Sequence, residues 1–511
     1  MTWALTGDAA RAVVEQDFRA LPLAATADAA IETATRLGAE HCDVRVSRQR
    51  VRSASARDGH PMGVGADVVT GLGVRVLVDG VWGFAADDAV TPDSGRRVAE
   101  LAVAMAHVAT PAAVQRVQLA DEPVHADQAW ANPIEVDPFD VADAEVLEVL
   151  LGRSRALLDT PHVQHVDADV QAFRDVVYYA DGAGTSALQQ RTRIQSALNA
   201  FRIGERGFDD MRTCAPPAAR GWEYVAGSDN VWDWDAEVAL LPAWLAEKAA
   251  APSIEPGRYD LVLDPTNLWL TIHESVGHAT ELDRALGYEA NYAGTSFATL
   301  DQLGTLRYGS PLMHVTGDRD APFGLATVGF DDEGVQAQRW DLVRDGTLVG
   351  YQLDRRMAAE HGFGRSNGCA YADAAIHVPM QRMPNVSLQP DPYGPGLEGL
   401  LGGVEDGIYV VGDKSWSIDM QRYNFQFTGQ RFWRIRSGRI VGQVRDVAYQ
   451  SSTPSFWGSL RALGGPSTYL LGGALNCGKA QPGQTAPVSH GCPIAVFEAV
   501  NVLNTEREGR V

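Results

Sequence analysis

Tyr259 to Arg284, YDLVLDPTNLWLTIHESVGHATELDR, is the stretch on which the reading of this chain turns. Tyr259 to Leu263 reads as a short strand. Asp264-Pro265-Thr266 then supplies a helix start with proline in the first turn, and an apolar helical run follows. On that run lie His273, Glu274 and His278. Two histidines four residues apart share a helix face and can grip one zinc, with the intervening Glu placed to activate a metal-bound water. Here the spacing is five. At 3.6 residues per turn, five residues carry the second side chain about 140° from the first, so an undistorted helix could not chelate with both. A one-residue bulge of π type, or an end to the α-helix between the histidines, restores a shared face, and Gly277 suits either distortion. The plain alternative is two unrelated histidines on a helix that buries Leu268, Leu270 and Ile272.

A catalytic zinc needs a third protein ligand and an open position for water. Cys477, in Gly472-Gly473-Ala474-Leu475-Asn476-Cys477-Gly478-Lys479, is the best candidate. Glycines there would let the backbone approach a metal, and Lys479 would favour the thiolate. Cys477 could equally be a small buried residue in a glycine-rich loop. Cys492 and His490, in Ser489-His490-Gly491-Cys492-Pro493, compete with it, and the residues alone do not rank the three.

Outward from this helix, the chain divides into two regions. Helical patterns at Ala25 to Gly38, Ser94 to Ala109, Asp140 to Leu158 and Ala236 to Ala249 alternate with strand-like runs such as Val44 to Val46 and Gly73 to Val78. Asp79-Gly80 and Asp181-Gly182 mark hairpins. These pieces predict an α+β fold over residues 1–250, with helices on a largely antiparallel sheet. The two prolines of Ala250 to Gly257 make that segment the preferred boundary. Residues 251–511 read mostly as β structure, with turns at Asp345-Gly346 and Ser437-Gly438 and the metal-binding helix near the start. Strands such as Tyr423 to Arg436 could bind an extended peptide by edge pairing, or could simply build the core.

The 511 residues exceed what one core usually holds. Forty-three Lys and Arg against 65 Asp and Glu give a formal charge of −22, which repels nucleic acid and anionic membrane. Residues 1–24 contain Asp8, Glu15 and Asp17 and no long apolar run, so neither signal nor membrane anchor is expected and the chain reads as cytoplasmic. Five scattered cysteines do not form a disulfide scaffold.

The run His273-Glu274-Ser275-Val276-Gly277-His278 resembles the HExxxH signature of the TldD half of the TldD/PmbA peptidase family. Gly71-Leu72-Gly73-Val74-Arg75-Val76, Asp331-Asp332-Glu333-Gly334, Arg382-Met383-Pro384-Asn385 and Cys477-Gly478-Lys479 add to the resemblance in the same order. The resemblance implies a zinc site on His273, His278 and Cys477, with Glu274 as the catalytic carboxylate. It implies an N-terminal α/β domain followed by a β-rich C-terminal domain. It further implies a peptidase for short or unfolded peptides, forming a dimer with itself or with a homologous TldE/PmbA-like subunit that lacks the metal motif. Ala279-Thr280-Glu281-Leu282-Asp283 departs from the glycine-rich continuation of the bacterial prototype. In the expected mechanism, zinc-bound water is activated by Glu274, which returns the proton to the leaving amine. The alternative is a non-catalytic, zinc-stabilised binding subunit that modulates a partner; retention of Glu274 argues against it, because a structural site needs no general base. An aminoglycan or phosphate hydrolase finds no support, as there is no GxxxxGK[ST] loop.

Overall fold

The computed structural model describes residues 3–204 and 207–508. The first sheet has eight strands, in the order Leu5–Thr6, Gln128–Ala131, Ser186–Gly204, His165–Asp181, His41–Arg57, His60–Val78 and Val81–Asp87, with Gly207–Arg212 also paired to Ser186–Gly204. All pairings are antiparallel except Gln128–Ala131 against Ser186–Gly204. Both residues of Asp79-Gly80 take positive φ (49° and 68°), as a two-residue turn of type I′ requires. Asp58-Gly59 turns the same way (50° and 73°) and joins the two long strands His41–Arg57 and His60–Val78.

Alternate residues of a strand face opposite ways. Val44, Val46, Val74, Val76 and Val176 point under the helices Leu23–Arg36 and Pro92–Ala109. Further along the same strands Ala54, Ala168, Val170 and Leu198 lie under Asp143–Leu158 and Trp234–Ala250. The opposite face is polar and buried, and it binds residues later in the chain. Arg75 Nη1 lies 3.0 Å from Glu333 Oε1, Arg45 Nη2 donates to Ala374 O at 2.6 Å, and Arg193 Nε donates to Leu325 O at 2.7 Å.

The second large sheet closes on itself. Asp406–Ile418 pairs with Gly257–Leu263, which pairs with Ala495–Asn504, then Val447–Ser452, then Asn424–Arg436, which returns to Asp406–Ile418. Leu460–Leu463 and Arg439–Gln443 add to this ring. Its aromatic core includes Phe456 stacked on Phe497 with ring centroids 4.0 Å apart. A four-stranded sheet (Val315–Asp318, Arg339–Arg344, Thr347–Leu348, Asn385–Leu388) and the hairpin Leu470–Lys479 with Gln484–Cys492 stand beside it. The fold is therefore α+β, with the four longest helices gathered on the first sheet. Asn424–Arg436 pairs along one side with Asp406–Ile418 and at both ends of the other side with Val447–Ser452 and Arg439–Gln443, which favours the reading that it builds the core over edge pairing of a peptide. Among the described residues no helix is long and apolar enough to cross a membrane.

Candidate metal centre

The helix after strand Gly257–Leu263 begins as its sequence dictates. Asp264 Oδ1 accepts from Thr266 N at 3.0 Å, Pro265 occupies the first turn where its missing N–H costs nothing, and the α-helix runs to Ile272. The expected distortion follows: His273–Gly277 is a π-helical turn and His278–Thr280 a 3₁₀ turn. The extra residue swings the rings of His273 and His278 together, with centroids 4.6 Å apart. Neighbours hold the turn in place. Gln352 Nε2 donates to Gly277 O, Thr280 Oγ1 to Val276 O at 2.8 Å, and Trp457 Nε1 to Ser275 Oγ at 2.9 Å. Gly277 itself has ordinary helical torsions. Its role is space: a Cβ there would lie 2.6 Å from Met383 Sδ.

Cys477, on Leu470–Lys479 beside a bulge in the hairpin, reaches the two histidines. Ligand atoms of His273, His278 and Cys477 all lie within 4.8 Å of one another, and Cys477 Sγ is 3.7 Å from His278 Nε2. All three residues are buried. The other two candidates fall into different places. Cys492 Sγ sits 3.8 Å from Pro265 O, away from the cluster. His490 stands behind His273: its Nδ1 is 2.9 Å from Val386 O, which can only accept, so its Nε2 is left to accept from His273 Nδ1 at 2.8 Å. That relay turns the Nε2 lone pair of His273 toward the cluster. Likewise His278 Nδ1 meets Glu281 Oε2 at 2.9 Å and presents Nε2 to Cys477.

Charge around the cluster follows from these contacts. Burial lowers the pKa of His273 and His278, and burial with the neighbouring His273 holds His490 well below its usual range. Burial pushes the Cys477 thiol up, but His278 and Arg382 outweigh it, so its pKa lies below the ordinary thiol value. Lys479, expected to favour the thiolate, does something else. Its Nζ binds Glu281 Oε1 (3.2 Å), Asp283 Oδ1 (2.8 Å) and Gln381 O (2.8 Å). Arg382 instead donates to Cys477 O at 2.5 Å. Glu274 is buried one residue beyond His273, and its Oε2 accepts from Arg422 Nη1 at 2.8 Å. Arg422 takes a left-handed φ of 61° in a turn tied by Asp419, whose carboxylate accepts from the amides of Gln421, Tyr423 and Asn424.

Residues 256–504 match the model of the PmbA/TldA metallopeptidase C-terminal domain, and residues 42–106 that of PmbA/TldA metallopeptidase domain 1. The chain belongs to the TldD/PmbA family. A metalloprotease of Methanothermobacter thermautotrophicus is 26% identical over 465 residues, covering 89% of this chain and 93% of the relative. A zinc metalloprotease TldD homolog of Saccharolobus solfataricus is 24% identical over 266 residues, 52% of this chain and 56% of the relative. TldE of Thermococcus kodakarensis shares the fold, with a TM-score of 0.73 at 15% identity over 93% of this chain and 99% of that one.

In this TldD/PmbA member a cleft of about 430 Å³ runs from the first sheet, at Phe173 and Gln195, past Trp269 to Gly472–Asn476. Leu470–Lys479 pairs only with Gln484–Cys492 among the described residues, and its residues Leu470 and Gly472–Asn476 line this cleft. The spacing of the motif pointed to His273, Glu274 and His278. It carried no signal for Glu281, His490, Arg382 or Arg422, whose parts depend on chain segments far from the helix.

Proposed function

We propose that this chain is a zinc-dependent peptidase for short or unfolded peptides, with His273, His278 and Cys477 as metal ligands and Glu274 as general base. The supporting observation is the convergence of two oriented imidazoles and a thiol of lowered pKa at one buried point. Their spacing suits zinc: two tetrahedral ligands at about 2.3 Å (sulfur) and 2.1 Å (nitrogen) stand about 3.6 Å apart, against 3.7 Å between Cys477 Sγ and His278 Nε2. Two imidazoles and a thiolate are also the donor chemistry zinc accepts, with a fourth position left open. The ion, when bound, supplies Lewis acidity for the scissile carbonyl and a lowered pKa for water.

The protein's own groups do the remaining work. His490 and Glu281 fix the ring orientations of the two histidines. Arg422 holds Oε2 of Glu274, leaving Oε1 to take the proton of the attacking water and return it to the leaving amine. The free edge of Leu470–Lys479 offers main-chain pairing to an extended peptide, which confers little side-chain selectivity. The Glu274–Arg422 ion pair is the one observation that favours the alternative, a zinc-stabilised binding subunit with an engaged carboxylate.

Peptide digestion by the wild type and Glu274→Gln, with and without chelator and with metal analysis of both, separates the two. The expected result is full zinc content in the variant with kcat/KM reduced about 10²–10⁴-fold. Equal turnover by the variant, or turnover untouched by complete zinc removal, sinks the peptidase mechanism. The same proposal includes a dimer, with a second copy or with a TldE/PmbA-like subunit, which light scattering on the chain alone and on the mixture tests.

A further inference from the structure

Behind the metal centre lies a small enclosed cavity bounded by four arginines, Arg191, Arg193, Arg319 and Arg382, together with Tyr371 and Met383. Each guanidinium belongs to a residue at most 6% exposed. Buried guanidinium groups normally find carboxylates, because an unpaired charge out of water is costly. Here the count does not balance. Asp175 pairs with Arg193 at 2.5 Å and more loosely with Arg191 at 3.7 Å. Arg382 donates to the carbonyl oxygens of Cys477 and Gln484 and forms no ion pair among the described residues. Arg319 has neither an ion pair nor a side-chain hydrogen bond among the described residues, and its Nε is wholly buried. The Nε atoms of Arg191 and Arg382 are likewise buried without a partner. Asp331 and Asp332 act on Arg319 electrostatically but lie beyond ion-pair distance of it; Asp332 pairs with Arg45 at 3.6 Å, and the two carboxylates accept from the amides of Glu333, Val335, Ala370 and Ala372.

We propose that this cavity is a binding site for a small monovalent anion, chloride under ordinary conditions, clasped by Arg319 and Arg382 with Arg191 and Arg193 from the first sheet. The free space, about 10 Å³, holds one water-sized body. Chloride is slightly larger, and the flexible arginine and Met383 side chains around it can yield by that amount. A larger oxyanion such as sulfate does not fit without moving the sheet. The anion supplies a direct counter-charge to four guanidinium groups whose one ion-pair partner among the described residues is Asp175, and so ties the first sheet to two parts of the metal centre. Arg382 holds the carbonyl of Cys477, and Met383 packs against Gly277 of the π turn.

Bromide replaces chloride and is visible by anomalous scattering, so crystals of the wild-type protein soaked in sodium bromide test the site directly. A peak between Arg319 and Arg382 is expected. In solution, Tm of the wild type should rise by about 2 °C for each tenfold increase in chloride above its dissociation constant, and not with gluconate at equal ionic strength. Arg319→Gln should lose that halide response. Two results overturn the proposal: water density without an anomalous peak, or a peak with no halide-specific change in Tm, which would mean binding at crystal concentration only. Both measurements on the wild type stand even if the variant does not fold.

Discussion

Glu281 is wholly buried, and its two oxygens accept from His278 Nδ1, Arg284 Nε and Lys479 Nζ. Burial would raise its pKa, but Lys479, Arg284 and His278 together hold it well below the usual carboxylate range. The carboxylate therefore orients the His278 ring and pairs with two cations at once. Glu281→Gln keeps the shape and removes the charge. It should lower zinc affinity about 10–100-fold, read by competition with a chelator, and reduce stability by about 3–5 kcal/mol through the buried Arg284, which loses its ion-pair partner, while Lys479 keeps Asp283. Unchanged zinc affinity would show that His278 needs no such support. The role was not legible beforehand because Lys479 arrives from 198 residues away. The cysteine showed the same limit, since the ranking of Cys477 above His490 and Cys492 depends on which of them the hairpin turns toward the helix.

At the scale of elements, the five-residue histidine spacing was the most informative feature of the sequence, because the helix had to be irregular if both rings were to meet. The π turn His273–Gly277 is that irregularity. What spacing could not reveal is why residue 277 is glycine. Gly277→Ala places a Cβ against Met383 Sδ, and Met383 is buried with His490 close by. Overpacking of this kind costs about 1–3 kcal/mol, partly offset by the roughly 0.5–1 kcal/mol that alanine gains over glycine in a helix. Net destabilisation and a reduced zinc content are expected. Adding Met383→Ala should make the double variant less destabilised than the sum of the single ones, read by denaturant titration. Strict additivity would place the effect in the backbone instead. Strand lengths were harder to read: Val44 to Val46 is a fragment of His41–Arg57, whose outer residues are Arg, Gln and Ser and hide the apolar alternation.

For the whole molecule, the α+β class and the order of its parts could be read from hairpin turns and helix periodicity. The buried polar face between the first sheet and residues 319–384 could not, since arginines on strands normally signal solvent. Glu333 is a centre of that interface, bound to Arg75 Nη1 and to the amide of Arg355, with Asp43 pairing Arg75 from the other side. Asp354 stands nearby and caps the helix Arg355–Glu360 through the amide of Met357. Loss of solvent and the charge of Glu333 raise its pKa from 3.8 to about 7. A carboxyl whose pKa is higher in the folded state stabilises the fold fully below its unfolded value, and that stabilisation is lost as pH rises through the folded value. Asp354→Asn retains a good helix cap and cannot titrate. The difference in Tm, wild type minus variant, should therefore fall between about pH 4 and pH 7 and level off above that window. A difference that stays flat, or rises with pH, would mean that Glu333 and Asp354 do not share their charge across this interface.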